Sequence, residues 1–221
     1  LFGDTVQYVE QDQSLGTGHA LLQCAEFIDK EASHVLVMIG DAPLVHSSTI
    51  KSQISLHLER GSDMTLLTSS GAIQEDIGRV QRDSSGGISE VIEASDDGSR
   101  DVVSEGNGGI YCFKSPWLWW NLREVKPSHT GELYLTSLVA IASSNKDNVD
   151  ALVIDDPYEA MGVNDRVQLA QAESILRQRI RDRWMREGVT IVDPISTFID
   201  STVTLGQDTV IYPNTSLQGS T

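Results

Sequence analysis

The chain has 221 residues, and its 39% hydrophobic and 22% charged residues are ordinary for a soluble globular protein. Sixteen basic against 32 acidic residues give a net charge of −16, which argues against nucleic acid as a partner. A phosphorylated substrate would also be repelled unless a divalent cation or a few placed basic groups screened it. No apolar run approaches the roughly 18 residues that span a bilayer, so we expect no membrane insertion.

The first predicted elements surround a glycine-rich turn. Residues 5–9 alternate weakly and predict a strand, and a helix is expected over residues 18–30 with Thr17 as its cap. Glycines flank Thr17 on both sides, and free backbone amides at such a helix start favour a phosphate or the edge of a base. Gln11 offers the paired donor and acceptor that reading a pyrimidine edge requires. A plain capped helix explains these residues nearly as well.

The stretch His34–Leu44, which reads HVLVMIGDAPL, is the centre of the predicted fold. Five unbroken apolar residues before a glycine predict a strand buried on both faces, as in a parallel sheet covered by helices. Asp41 stands at the carboxyl end of this strand, where ligands bind in such sheets. A carboxylate there suits a metal ion or a ligand hydroxyl, and a turn or helix-capping aspartate is the competing interpretation.

Helices and strands alternate beyond this stretch, which predicts an α/β fold. A helix is expected over residues 47–60, capped by one of its first two serines, apolar at Ile50, Ile54 and Leu58, and stopped by Gly61. The later predicted elements are a strand over 64–68, a hairpin over 78–93, a strand over 108–113, helices over 116–125 and 132–143, and a strand over 149–154. Because a hairpin joins the parallel strands, the predicted sheet is mixed.

A long helix is predicted from Asp165 to Glu187, capped by Asn164 or Asp165 and ended by Gly188. Six of the sixteen basic residues fall within residues 166–186, and we favour a solvated helix face for them. The amide and carboxylate before the helix suit capping. They would also suit Mg²⁺, which prefers oxygen ligands and takes few of them from the protein.

The end of the chain repeats with a period of six residues. Aliphatic residues recur at every sixth position, and small or β-branched residues recur four positions after each. These positions are Ile199, Leu205, Ile211 and Leu217, and Val203, Thr209, Thr215 and Thr221. The pattern is typical of a left-handed parallel β-helix. Since three hexads form one coil, we expect more repeats after Thr221.

The expected organisation therefore has three parts. They are an α/β domain over residues 1–163, a connecting helix over 164–188 and the first hexapeptide repeats over 189–221. The two cysteines, Cys24 and Cys112, have no metal-type spacing and are too few for a disulfide framework, which indicates a reducing cytoplasm.

Seven motifs occur in an order seen in one family. They are LGTGHA at 15–20, GDAPL at 40–44, GRV at 78–80, IE at 92–93, GNGGIYCF at 106–113, GELYLT at 131–136 and GVNDRVQLAQAE at 162–173. With the hexapeptide tail, they resemble the bacterial bifunctional enzymes that make UDP-N-acetylglucosamine. In that family a Rossmann-like uridyltransferase domain is joined by a long helical arm to a trimeric β-helix acetyltransferase.

The resemblance implies that UTP and N-acetylglucosamine 1-phosphate combine, with Mg²⁺, to give UDP-N-acetylglucosamine and pyrophosphate. Such chemistry needs positioning and charge neutralisation rather than a covalent nucleophile. The site residues carried over are Gln11, Gly16 and Thr17 for the uracil, Gly78, Glu93 and Asn107 for the N-acetylglucosamine moiety, and Asp41 and Asn164 for Mg²⁺ and the substrate it holds. The full-length protein would also acetylate glucosamine 1-phosphate with acetyl-CoA and form a homotrimer through its β-helix.

The chain departs from the family in several places. The glycine-rich triphosphate loop lies before residue 1, so we expect the 221-residue piece alone to be inactive. Ser95 stands where lysine is frequent, Gly108 where a slightly larger residue is usual, and Ser137 where aspartate is frequent. One alternative is a nucleotidyltransferase for glucose 1-phosphate with UTP or dTTP. Another is a non-catalytic regulatory relative, which retention of Asp41 and Asn164 argues against.

Overall fold

The computed structural model describes residues 5–28, 31–70, 77–95 and 104–221. The chain divides into two compact units, Leu1–Met161 and Gly162–Thr221. Within the described ranges, no helix combines the length and the apolar character needed to cross a membrane.

The first unit is a six-stranded sheet with helices packed on it. Its strands are β1 (His34–Met38), β2 (Met64–Ser70), β3 (Arg79–Arg82), β4 (Ile88–Ile92), β5 (Glu105–Lys114) and β6 (Val149–Ile154). Its α-helices are α1 (Thr17–Cys24), α2 (Ser47–Arg60), α3 (Ser115–Asn121) and α4 (Ser137–Asn145), and short 3₁₀ turns follow at Leu122–Glu124 and Pro157–Ala160.

The sheet is mixed, as predicted. Its strand order is β4-β3-β5-β2-β6, with β1 also paired to β5. Among the described strands of this sheet, β2 and β6 pair in parallel and the other pairings are antiparallel. One edge of β5 is divided between two partners, because β1 pairs with its residues 110–114 and β3 with Gly106. Residues 107–109 lie between these two partners.

The prediction that β1 is buried on both faces within a parallel sheet is wrong. This strand pairs antiparallel with β5, and among the described strands it has no second neighbour. Its burial alternates instead, with Val35 buried and His34, Leu36 and Met38 exposed. In a strand with one exposed face, buried and exposed residues alternate even when the exposed residues are apolar.

Helix α2 has the predicted bounds but buries a different face. Gly61 ends it in the left-handed conformation, as expected, whereas neither serine caps it, since the N-cap is His46 without a side-chain bond. Gln53 and His57 are its buried residues, while Ile54 and Leu58 are exposed. The Gln53 amide donates to the carbonyls of Thr65 and Ile110, both at 3.0 Å, so a polar side chain bonds two adjacent strands.

Three other expected elements differ in the structure. Residues 5–9 form no strand. Helix α1 ends at Cys24, and of the rest of its predicted span only residues 25–28 lie within the described part. Residues 132–136 are not helical, since α4 begins at Ser137.

The main core of the first unit lies between the sheet and α3 and α4. Phe113 is its largest fully buried side chain, stacked between Tyr111 at 5.9 Å and Trp117 at 6.2 Å between ring centroids. Because Tyr111 and Phe113 both belong to β5, this core fixes the strand from which the central site residues project.

The second unit consists of α5 (Arg166–Arg186) and four two-residue strands, β7 (Thr190–Ile191), β8 (Phe198–Ile199), β9 (Val210–Ile211) and β10 (Ser216–Leu217). Asp165 caps α5 in a capping box with Gln168, as one of the two predicted caps. The pairs β7–β9 and β8–β10 are parallel, joining Thr190 to Val210 and Phe198 to Ser216. The second residue of each of these strands packs in one hydrophobic cluster with Ile180 and Trp184 of α5.

The arginines of α5 are only partly solvated. The Arg177 guanidinium lies 4.5 Å from the centre of the Phe198 ring, and that of Arg183 lies 4.6 Å from the Trp184 ring. Arg177 also pairs with Glu173 at 2.5 Å. Part of the basic run therefore packs on the aromatic residues of its own unit.

Candidate functional site

The segment Asn107–Gly109 of β5 is where two chain segments meet. Ile39 donates its backbone N–H to the carbonyl of Gly109 at 3.3 Å, and Asn107 donates its own to the carbonyl of Gly78 at 2.8 Å. Gly109 has a φ of 68°, and a Cβ there would lie 2.4 Å from Cδ1 of Ile39. Only glycine allows this approach.

Three residues expected at the sugar lie together beside this segment. A Cβ on Gly78 would be 3.5 Å from Oε2 of Glu93 and 3.6 Å from Cβ of Asn107. Gly78 precedes β3, Glu93 follows β4, and Asn107 lies in β5, so three adjacent strands supply them. We call Gly78, Glu93 and Asn107 the sugar cluster.

Two residues that the sequence did not single out hold the sugar cluster. The Thr136 hydroxyl donates to Oε1 of Glu93 at 2.5 Å. The Asn107 amide donates from Nδ2 to the Tyr111 oxygen at 2.7 Å. Burial raises the pKa of Tyr111, the Asn107 hydrogen bond lowers it, and the nearby Glu93 carboxylate raises it again, so this phenol stays protonated.

Hydrogen bonds also join residues within the glycine-rich turn around Gly16–Gly18. Gln11 donates from Nε2 to the Gly16 carbonyl at 3.3 Å, and the same nitrogen lies 2.8 Å from Nδ1 of His19. Gly16, with a φ of 95°, is the N-cap of α1, so Thr17 is not its cap as predicted. The Thr17 hydroxyl instead accepts the backbone N–H of Leu135 at 2.9 Å. Gln11, Gly16 and Thr17 are therefore brought together.

The glycines of this turn serve close packing. A Cβ on Gly16 would lie 2.7 Å from the Leu133 carbonyl oxygen, and one on Gly18 would lie 2.9 Å from it. That oxygen accepts the Gly18 N–H at 2.7 Å, so the helix start is not a row of free amides. Leu133 in turn donates its N–H to Leu15 at 2.8 Å.

Residues 133–136, which we call the strap, join the glycine-rich turn to the sugar cluster. The odd positions, Leu133 and Leu135, bond the turn through their backbone. The Tyr134 hydroxyl oxygen lies 3.2 Å from that of Ser95, and the Thr136 hydroxyl bonds Glu93. The motif GELYLT was visible in the sequence, but a helix was expected over residues 132–143, whereas α4 begins at Ser137 and residues 135 and 136 form a turn before it.

Asp41 differs from the cluster residues. It lies exposed in a turn after β1, two residues beyond Ile39. In the described part of the chain its carboxylate has no hydrogen-bond or ion-pair partner. Nor do those residues contain a group of three or more histidine, cysteine or acidic side chains that could hold a metal ion.

Asn164 belongs to the second unit, just before α5. Its backbone N–H donates to Oε1 of Gln168 at 2.5 Å, and Asp165 rather than Asn164 provides the cap. Its expected role as a metal ligand stays a prediction.

The three departures from the family pattern have local explanations. The Ser95 hydroxyl meets Tyr134, as described. Gly108 is tightly packed, because a Cβ would lie 2.9 Å from the Leu67 carbonyl oxygen. Ser137 begins α4 and donates its N–H to the Tyr134 carbonyl at 3.2 Å.

Comparison with known proteins gives a consistent result. Residues 2–172 match the family model described as nucleotidyl transferase. The chain is 40% identical over 98% of its length to the bifunctional protein GlmU of Acetivibrio thermocellus, covering 47% of that protein. It is 42% identical over 95% of its length to the GlmU of Pelotomaculum thermopropionicum, covering 46%. The chain thus spans about half the length of these curated relatives. It belongs to the nucleotidyl transferase family.

Proposed function

We propose that the full-length protein joins UTP and N-acetylglucosamine 1-phosphate to give UDP-N-acetylglucosamine and pyrophosphate. The observation that carries this proposal is the sugar cluster, in which the carboxylate of Glu93 and the side chain of Asn107, from two strands, both lie close to Gly78 before a third. Family membership and the GlmU relatives support the reaction class.

The reaction would be an attack of the sugar 1-phosphate on the α-phosphorus of UTP, with pyrophosphate leaving. Both reactants carry several negative charges, and no nucleophile from the protein is required. The protein would contribute position and charge neutralisation.

The sugar cluster offers hydrogen-bonding groups suited to an uncharged ring. The Glu93 carboxylate accepts from hydroxyl groups, the Gly78 backbone N–H donates, and the Asn107 amide does both. Since Thr136 and Tyr111 already hold the two side chains, little conformational entropy remains to be lost when a sugar binds.

The glycine-rich turn would hold the uracil. Gln11, Gly16 and Thr17 lie together there, and the strap connects them to the sugar cluster in the same unit. A nucleotide sugar has its base and its sugar at opposite ends, which suits two binding groups linked by one short rigid segment.

Mg²⁺ would be held on the first unit by Asp41. An exposed carboxylate without a protein partner fits this ion, which usually takes one or two carboxylates and completes its shell with water and phosphate. When bound, the ion would neutralise phosphate charge beside a protein of net charge −16. Asn164 is proposed as a further ligand on the sequence resemblance alone.

The second unit would begin a left-handed β-helix. Its support is the hexapeptide period together with the parallel pair β8–β10, which joins Phe198 to Ser216, 18 positions later, a separation of three hexads. From the family resemblance we also propose a homotrimer, acetyl-CoA-dependent acetylation of glucosamine 1-phosphate by the full-length protein, and a cytoplasmic location.

The test is a substrate comparison with the full-length protein. Pyrophosphate release is measured with UTP or dTTP, paired with N-acetylglucosamine 1-phosphate or glucose 1-phosphate, with and without Mg²⁺. The proposal expects the UTP and N-acetylglucosamine 1-phosphate pair to be preferred and to depend on Mg²⁺. A preference for dTTP or glucose 1-phosphate would identify a different sugar nucleotidyltransferase. Absence of turnover and of Mg²⁺-dependent UTP binding would favour the regulatory relative.

A further inference from the structure

The side-chain amide of Asn107 has a fixed orientation. The backbone N–H of Gly109 points to its Oδ1 at 3.3 Å, and a backbone N–H can only donate, so the atom facing it must be the oxygen. The nitrogen then faces the Tyr111 hydroxyl at 2.7 Å, which accepts the bond. These two neighbours therefore determine the positions of the amide oxygen and the amide nitrogen.

Tyr111 is well suited to hold this orientation. Its side chain is 3% exposed, and its ring stacks on Phe113 with 26° between the ring planes. Its strand pairs with β1 on one side, at Val37, and with β2 on the other, at Leu66. The phenol oxygen is therefore a rigid point on a central strand, and burial keeps it neutral.

The two fixed bonds leave the Asn107 amide with unused capacity. Among the described residues, one hydrogen on Nδ2 and one lone pair on Oδ1 have no partner. A fixed amide presents this donor and this acceptor in one constant direction, so a sugar group that binds there does not have to orient the side chain first.

We propose that Tyr111 is a positioning residue that holds the amide of Asn107 in the orientation in which it binds the sugar phosphate. This inference rests on the proposed function. Without the phenol oxygen, Asn107 keeps its place beside Gly78 but its amide is free to turn, and the fixed donor and acceptor are lost for part of the time.

The test is Tyr111→Phe in the full-length protein, which keeps the ring and removes one oxygen. We expect the KM for N-acetylglucosamine 1-phosphate to rise about tenfold, as loss of one positioned hydrogen bond predicts. The kcat and the KM for UTP should change less than about twofold.

Thr65→Val is the matched control. It removes a buried hydroxyl that lies 2.9 Å from Nδ1 of His57, on the neighbouring strand and facing α2 rather than α3. It should lower the melting temperature without changing the KM for the sugar phosphate. A Tyr111→Phe variant that behaves like this control, with an unchanged KM for the sugar phosphate, overturns the inference.

A double-mutant cycle with Asn107→Ala shows whether Tyr111 acts through Asn107. If it does, adding Tyr111→Phe to Asn107→Ala changes the sugar KM by less than about twofold, whereas independent effects multiply. Multiplying effects overturn the inference. A parent protein that does not prefer N-acetylglucosamine 1-phosphate to glucose 1-phosphate overturns the proposed function as well, whereas a parent with this preference and an unaltered Tyr111→Phe variant overturns the inference alone.

Discussion

Glu93 and Asp41 are both carboxylates of the first unit, and their surroundings are opposite. Glu93 accepts a hydrogen bond from Thr136 and lies beside Gly78 and Asn107. Asp41 lies exposed in a turn and has no partner in the described part of the chain. A carboxylate held by neighbours is ready for an uncharged ligand, whereas an unpaired one is available to a cation. The two residues thus separate recognition of the sugar from neutralisation of the phosphates.

The largest expected effect comes from Asp41→Asn in the full-length protein, which removes the charge and keeps the shape. Uridylyl transfer should fall about a thousandfold, the size of losing about 4 kcal/mol of charge stabilisation at the phosphates. Acetyl transfer and the melting temperature should be unchanged, because the carboxylate has no partner among the residues that the structure describes. Equal loss of both activities would show that Asp41 is structural, and the proposed difference in role between Asp41 and Glu93 would then be wrong.

Glu93→Gln should have a smaller effect confined to the sugar. The amide can still accept the Thr136 hydrogen bond but loses the charge that strengthens bonds from sugar hydroxyls. We expect the KM for N-acetylglucosamine 1-phosphate to rise about 30-fold, equivalent to about 2 kcal/mol, and the dependence on Mg²⁺ to stay the same. A changed Mg²⁺ dependence would mean that the two carboxylates share one role.

Thr136→Val should be milder still, since it removes only the hydroxyl that holds Glu93. The KM for the sugar phosphate is expected to rise about fivefold, for loss of about 1 kcal/mol of hydrogen bonding. Thr68→Val is the matched control, because Thr68 donates to Glu105 at 2.7 Å while Glu105 is also paired with Arg82. If both variants raise the sugar KM equally, the effect of Thr136 is general destabilisation.

Acid conditions provide a further way to separate the site from the fold. Burial, followed by the charges of His34 and Lys114, lowers the pKa of His57 below its usual 6.5. Protonation therefore favours the unfolded chain, so stability is retained above about pH 6.5 and falls below it, by at most about 1.4 kcal/mol per pH unit for this group. Denaturant unfolding of the chain at several pH values measures this slope.

His57→Gln should reduce that slope while leaving the pH profile of uridylyl transfer in the full-length protein unchanged above pH 6.5. An unaltered slope would mean that other groups cause the loss of stability in acid.

Several elements could be predicted because local rules agreed with the tertiary structure. The strand at Val149–Ile154 was predicted with its observed ends, and the hairpin of β3 and β4 begins and ends within one residue of the predicted range 78–93. Helix α5 follows from Asp165 before it and Gly188 after it. In each case the signal lies within a few residues of the element.

Other features depend on neighbours far along the chain. The sequence of β1 does not show that its partner is β5, which is about 75 residues later and antiparallel. The polarity of Gln53 predicts exposure, yet two strand carbonyls accept its hydrogen bonds in the core. Glu93 and Asn107 were identified through resemblance, but Thr136 and Tyr111, which hold them, are recognised only once the strands are assembled.

The bonds of the strap restrict how this chain can vary. Backbone bonds join residues 133 and 135 to the glycine-rich turn, and hydroxyl groups join residues 134 and 136 to Ser95 and Glu93. Because the strap is short and bonded at each residue, inserting or deleting one residue would move the residues after it away from their present partners. Such a change would detach Glu93 from its hydroxyl and Leu135 from Thr17 at once. Across related sequences, the length of this segment should therefore tolerate less change than the identity of its residues.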